Sequence, residues 1–309
     1  MEQLFGLQTW GTDLILAIQA FSSGALDTFF LAVTWLGNRD AYLVILTLLY
    51  WCINRRWGAR LLVLAMLSSW LNEAVKSLFD LPRPDPTRVR RLVSESSFGF
   101  PSNHAQTGAV IVWGYLAAKV RRPWFTALAV VLIFLIGLSR LYVGIHFPQD
   151  VIGGWLLGIV ILLLWLRFED RMAAWWHSLP VRRQALVAIA GPLVLMFLTP
   201  ADSFNRYPNE TGATLAGILI GAGLGTILEA RTVQFRVDGP LGRRALRYLV
   251  GIVLVGALYF GGSMLPDLHP WGLDIALRLL RYGLVGLTAV WLAPWVFVKL
   301  RLAESDLRN

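Results

Sequence analysis

Three short segments hold residue types able to do chemistry together. "KSLFDLPRP", from Lys76 to Pro84, offers two cations, and "PSNHAQ", from Pro101 to Gln106, offers a histidine beside turn-forming residues. "SRLYVGIHFPQD", from Ser139 to Asp150, holds an arginine, a histidine and an aspartate within twelve positions. Lys76, Arg83 and Arg140 have no comparable number of acids near them, and a stranded cation in apolar surroundings is costly until it meets an anion. Arginine binds phosphate oxygens through a two-pronged fork, while lysine acts as a point charge. The start of a helix after "PSNH" would add backbone donors suited to an oxyanion. Together these features predict a phosphate cradle.

Two of the four histidines fall in these segments. Asp150 follows His146 by four residues, about one helical turn. A carboxylate at that reach holds one imidazole nitrogen protonated and leaves the other free to attack. His146 is therefore the expected nucleophile, forming a phosphohistidine that divides hydrolysis into two easier steps. His104 is the expected group to protonate the leaving alkoxide and then to activate water. The cations would stabilise the charge of the transferring phosphoryl group. One carboxylate makes a poor magnesium site, so no metal or other cofactor is expected.

The elements that must bring these segments together are apolar. Of the 309 residues 56% are hydrophobic and 15% charged, and long apolar runs recur from end to end, as in a polytopic membrane protein. Only helices and closed barrels satisfy their backbone inside a bilayer, and these runs are longer than barrel strands. The expected fold is all-α: a transmembrane bundle with spans near 12–36, 40–54, 58–79, 104–119, 124–142, 149–166, 184–199, 211–229, 246–263 and 273–298. The first must tilt or break at "SSG", because "ALDTFFLAVTWLG" alone is short for a core of about 30 Å. Six spans and nearly all the unusual polar chemistry fall in residues 1–170. The other four fall in residues 171–309, after a connector "RFEDRMAAWWHSLPVRR" rich in arginine and tryptophan.

Alternating the spans from a cytoplasmic N-terminus places most of the 28 Lys and Arg inside, as the positive-inside preference requires. Both termini then lie in the cytoplasm and all three chemical segments at the extracytoplasmic face of a bacterial plasma membrane. Arg278 and Arg281 fit less well, so "LDIALRLLR" is expected to lie along the interface before the last span. The net charge of +9 is spread in short clusters between apolar runs, which argues against a nucleic-acid partner. The expected partners are the bilayer and a lipid phosphate, and nothing in the sequence sets an oligomeric state.

The spacings complete a pattern. Lys76 followed after six residues by Arg83-Pro84, then Pro101-Ser102-Asn103-His104, then Ser139-Arg140 with His146 and Asp150 beyond it, resemble the three-part signature of the type-2 phosphatidic acid phosphatase and vanadium haloperoxidase superfamily. The resemblance covers residues 1–170. It implies a six-helix phosphatase core that hydrolyses a lipid phosphate or diphosphate without metal, with about four further transmembrane helices behind it. By position His146 is similar to the family's nucleophile, Asp150 to its partner and His104 to its acid. Lys76, Arg83, Ser102, Asn103 and Arg140 are similar to its phosphate-binding residues. Asn103 stands where the family usually has glycine, and the expectation is a tight turn that asparagine tolerates in left-handed geometry.

Alternative readings are a non-catalytic lipid-phosphate binder or transporter and, further behind, a vanadate-dependent haloperoxidase. Intact His104, His146 and Asp150 speak for turnover over binding alone. Arg88, Arg90 and Arg91 read either as a solvated basic loop near anionic headgroups or as contacts to a second phosphate. Cys52, the single cysteine, reads as a small apolar residue. His177 and His269 read as interfacial and loop residues.

Overall fold

The computed structural model describes residues 2–261 and 270–307, so His269 lies outside the described residues. Twelve α-helices are present among them: α1 (Glu2–Gln19), α2 (Gly24–Trp35), α3 (Arg39–Leu48), α4 (Arg55–Phe79), α5 (Tyr115–Val120), α6 (Pro123–Tyr142), α7 (Pro148–Ser178), α8 (Val181–Leu198), α9 (Glu210–Thr232), α10 (Leu241–Gly261), α11 (Trp271–Leu287) and α12 (Ala293–Lys299). Three π-helical segments, Leu49–Ile53, His104–Gly114 and Thr288–Leu292, run directly into or out of α-helices. The chain is all-α and polytopic, as expected. Seven helical stretches are long and apolar enough to cross a bilayer, and the pair Gly24–Trp35 and Arg39–Ile53, bent by 57°, makes an eighth.

Local chemistry sets these boundaries. The expected break near "SSG" falls at residues 20–23, where the Ser23 side chain caps α2 by accepting from the Leu26 N–H at 3.3 Å. A capping hydroxyl satisfies one of the orphan donors of a first turn. Pro123 and Pro148 open α6 and α7, positions where the missing N–H costs nothing. The π-helical stretch of 11 residues and α5 together fill the expected span 104–119. α7 is longer than expected: its 31 residues reach about 46 Å at 1.5 Å per residue. Most of the predicted connector is therefore the end of α7, and His177 sits in its last turn. Leu156, Val160, Leu163 and Leu164 form an exposed apolar stripe along this helix, at the i, i+4, i+7, i+8 spacing of one face. On a helix long and apolar enough to cross a bilayer, such a stripe fits contact with hydrocarbon.

The chain divides into two compact units. One comprises residues 1–43 and 67–167, the other residues 44–66 and 168–309. Residues 44–66 thus join the C-terminal unit. There the fully buried Arg247 donates to the carbonyls of Trp51, Val237, Asp238 and Leu302. A buried guanidinium is tolerated because its donors are spent in this way. Within the same unit Arg55 pairs with Glu229 at 2.8 Å. α9 and α11 approach so closely that a Cβ on Gly221 would lie 1.9 Å from the Gly283 carbonyl oxygen. "GAGLG" is accordingly a packing motif, as small residues at helix interfaces usually are. "LDIALRLLR" does not lie apart from the last span. It is the first half of α11, which continues through the π turn into α12. Arg278 bonds Glu210 at 2.7 Å and Arg281 donates to the Tyr259 carbonyl, so both cations are held inside the unit.

Candidate functional site

All eight predicted site residues lie in the first unit, which brings the three segments to one end of its helices. Lys76 is in the last turn of α4 and Arg140 in the last turn of α6. His104 opens its π-helix and Asp150 lies in the first turn of α7. Two carboxyl ends and two amino ends therefore converge. The turn from α6 to α7 requires Gly144: its φ of +75° suits glycine, and a Cβ there would lie 2.3 Å from the Arg90 carbonyl oxygen. This turn aims the His146 side chain inward, where it is 1% exposed.

His146 is held from both sides. Its Nδ1 lies 3.2 Å from Asp150 Oδ2, which also accepts the Phe147 N–H at 2.9 Å. Its Nε2 lies 3.0 Å from Arg83 Nη1. A guanidinium can only donate, so Nε2 must present its lone pair and Nδ1 must carry the proton toward Asp150. Burial comes first, followed by the charges of Arg83, Arg140 and Lys76, in holding the imidazole well below its ordinary pKa. His146 is neutral at physiological pH.

Arg83 organises the surrounding loop as well. Its Nε donates to the Ser97 carbonyl at 2.6 Å, Nη1 to the Ile145 carbonyl at 2.9 Å, and Nη2 to Ser97 Oγ and the Phe98 carbonyl, both at 3.1 Å. Lys76 Nζ reaches the same Ser97 Oγ at 3.1 Å. Burial pushes the Glu95 carboxyl up, but Arg83, Lys76 and its bonds with Ser97 outweigh this and hold it below the usual carboxylate range. Arg140, only 2% exposed, donates through Nη1 to Thr34 Oγ1, while its buried Nε has no acceptor. That Nε is a donor without a protein partner, on the segment that also carries His146.

Ser102 is fully buried, its N–H bonded to the Asp150 carbonyl at 2.9 Å and its Oγ accepting from Ala105 N–H at 3.4 Å. Asn103 overturns one expectation: its backbone is right-handed, with φ −67° and ψ −31°. It is the cap of the π-helix, not a left-handed turn residue, so asparagine meets no backbone penalty there. Its Oδ1 accepts from Thr107 at 2.8 Å. Thr107 in turn meets Ser68, whose Oγ and carbonyl receive the Gln106 amide, and Gln106 Oε1 accepts from Asn72. This buried polar ladder pins the π-helix to α4.

The sequence did not single out several of these partners. Thr34 for Arg140, Ser97 for Arg83 and Lys76, the Asn72–Gln106 pair, and Asn38, whose Oδ1 lies 2.6 Å from His104 Nε2, are all polar residues far from their partners in the chain. The one available signal was their polarity in or beside apolar runs or, for Ser97, in a loop. The arginine loop is partly explained. Arg90 grips Asp27 with two bonds of 2.6 and 2.9 Å, and Arg91 donates to the Pro84 carbonyl. Only Arg88 of the three is exposed without such a bond among the described residues.

Several known proteins are similar to this chain. Lipid phosphate phosphatase delta of Arabidopsis thaliana is 28% identical over 70% of this chain, which spans 58% of that relative's length. Sphingosine-1-phosphate phosphatase 1 of Mus musculus is 26% identical over 85% of this chain and 70% of its own length. Phosphatidylglycerophosphatase B of Bacillus subtilis is 32% identical over 38% of this chain and 62% of its own. Among solved structures, the crystal structure of a transmembrane PAP2-type phosphatidylglycerolphosphate phosphatase from Bacillus subtilis superposes with a TM-score of 0.47 at 26% identity. That superposition covers 54% of this chain and 87% of the other. Residues 57–173 match the model of the PAP2 superfamily and residues 213–305 that of the PAP2 superfamily phosphatase transmembrane extension. With those two matches taking in more than half of its length, the chain belongs to the PAP2 superfamily.

Proposed function

We propose that this integral membrane protein removes phosphate from a lipid phosphate monoester or diphosphate at the extracytoplasmic face, through a phosphohistidine on His146 and without a metal ion. The observation that carries the reading is the double tether of His146, with Asp150 at Nδ1 and Arg83 at Nε2. A neutral imidazole with its lone pair on Nε2, beside a guanidinium, is arranged to attack an anionic phosphate. Arg83, Lys76 and Arg140 hold the phosphate oxygens, with the orphaned Arg140 Nε among the donors. As phosphate arrives, Arg83 Nη1 turns from Nε2 to a phosphate oxygen and frees the lone pair.

In the first step Nε2 forms a bond to phosphorus, the bond from phosphorus to the lipid oxygen breaks, and His104 gives its proton to that oxygen. Asp150 stabilises the positive charge that develops on the His146 ring. In the second step His104 takes a proton from water, the hydroxide attacks phosphorus, the P–N bond breaks and inorganic phosphate leaves. Asp150 is committed to His146 and the Phe147 N–H. The remaining groups around the site are chiefly cations and imidazoles, a donor set hostile to a divalent cation.

The lipid reaches the site from the leaflet, its apolar tail remaining in hydrocarbon. The unit of residues 1–43 and 67–167 acts as the catalytic part, and the unit of residues 44–66 and 168–309 serves as its membrane extension. The relatives named above act on sphingosine-1-phosphate and on phosphatidylglycerophosphate. The substrate classes to test are therefore phosphatidic acid, phosphatidylglycerol phosphate, a sphingoid-base phosphate and an isoprenyl diphosphate. The test is phosphate release from this panel by the detergent-purified protein and by His146→Ala. Release that vanishes in the variant supports the reading. Retention of a lipid phosphate with no turnover by the native protein would make it a binder instead.

A further inference from the structure

We infer that Asn38 is the positioning residue of the general acid, fixing the His104 ring so that its Nδ1 gives and takes the proton. The inference rests on the reading of His104 as acid. Asn38 Oδ1 lies 2.6 Å from His104 Nε2, and this is the one side-chain hydrogen bond of the ring among the described residues. A carbonyl oxygen can only accept, so Nε2 carries a hydrogen in every protonation state and Nδ1 is the nitrogen that changes. In this respect Asn38 does for His104 what Asp150 does for His146, with a neutral acceptor in place of a charged one.

The turn that carries Asn38 is built to stay where it is. It is the break between α2 and α3, closed by bonds from Gly37 N–H to the Thr34 carbonyl and from Asn38 N–H to the Trp35 carbonyl. The buried Tyr42 hydroxyl donates to the Gly37 carbonyl at 3.0 Å. A Cβ on Gly37 would lie 2.8 Å from His104 Cδ2 and 3.2 Å from its Cγ, so the turn's backbone packs closely against the imidazole. The π-helix that begins at His104 meets the same turn again: a Cβ on Gly108 would come 2.6 Å from Gly37 Cα. The ring is thus packed on one side and hydrogen-bonded at one nitrogen, which leaves a single orientation. Thr34, the acceptor of Arg140, lies one helical turn before Asn38. One helix end therefore serves both a phosphate-binding cation and the acid.

The chemistry supplies a discriminating test. Departure of an alkoxide needs a proton, whereas a nitrophenolate leaves without one, so loss of general acid affects only alkyl esters in the first step. We would measure kcat/KM on octyl phosphate and on p-nitrophenyl phosphate for the detergent-purified protein, Asn38→Ala, Asn38→Asp and His104→Ala. Asn38→Ala is expected to lose about tenfold to a hundredfold on octyl phosphate and less than about threefold on the aryl ester, the size of a misplaced acid. Asn38→Asp keeps an acceptor and should restore most of the octyl activity. Equal losses on both esters, no loss on either, or failure of Asn38→Asp to restore activity would each overturn the inference. The arms remain separable from the underlying reading: if His104→Ala itself shows no preference for the aryl ester, His104 is not the acid and that reading fails first.

Discussion

Replacing Asp150 by asparagine keeps the shape of the proposed catalytic pair and removes only its charge. Both bonds of the carboxylate, from His146 Nδ1 at 3.2 Å and from the Phe147 N–H at 2.9 Å, converge on one oxygen. An amide oxygen in the same place can accept both, so the turn and the ring orientation should survive. What is lost is the attraction between the carboxylate and the positive charge that grows on the imidazole as Nε2 bonds to phosphorus. Two full charges at this separation attract by about 5 kcal/mol at an effective dielectric of 20, and about half a charge has formed at the transition state, giving ~2.5 kcal/mol. That corresponds to a loss of roughly 70-fold in the rate of phosphoenzyme formation. The assay is rapid-quench phosphoenzyme formation with a saturating lipid phosphate, with thermal unfolding in detergent as the check on folding. A folded Asp150→Asn protein within about threefold of the native rate would refute the assignment of Asp150 as the charge partner of the nucleophile.

Three further outcomes follow from the same geometry. Arg83→Lys keeps the charge but cannot reproduce bonds to Ser97, Phe98, Ile145 and His146 at once. kcat/KM should fall at least about a hundredfold, since losing two charge-assisted hydrogen bonds at ~1.5 kcal/mol each suffices, and a small change would show that charge alone matters. Gly108→Ala forces backbone apart at Gly37, so thermal unfolding should shift down by an amount equivalent to about 1–3 kcal/mol, and an unchanged midpoint would contradict the close approach. Nitrogen NMR of histidine-labelled protein, assigned by His146→Ala, should show His146 bare at Nε2 and protonated at Nδ1 down through pH 6. The sign follows from its lowered pKa: the folded state resists protonation where an unfolded histidine, near 6.5, accepts it. Acidification through that range therefore destabilises the fold.

Much of this arrangement was legible in the sequence because its chemistry is local. His146 and Asp150 share a helical turn of spacing, the three motif segments end or begin apolar runs, and Pro148 marks the start of α7. What could not be read was anything that depends on two distant segments meeting. Asn38 and Thr34 lie at the broken end of α2, with no spacing that ties them to His104 or Arg140. Ser97 sits in a loop of small polar residues, each as eligible as its neighbours. Asn103 misled for a different reason: its tolerance of left-handed backbone suggested a turn, but the position is a right-handed cap whose side chain bonds Thr107. Residues 44–66 fall by order along the chain in the expected phosphatase core, residues 1–170. The buried Arg247, by donating to Trp51, shows why packing groups them otherwise.

The proposed mechanism turns on a covalent phosphate on His146. Incubating the purified protein with radiolabelled lipid phosphate and quenching within the first turnover should trap a phosphoenzyme that is stable in alkali and labile in acid. Peptide mapping should place that label on His146, and His146→Ala should carry none. Turnover of the lipid with no trapped phosphate, or a phosphate that persists in His146→Ala, would contradict the account.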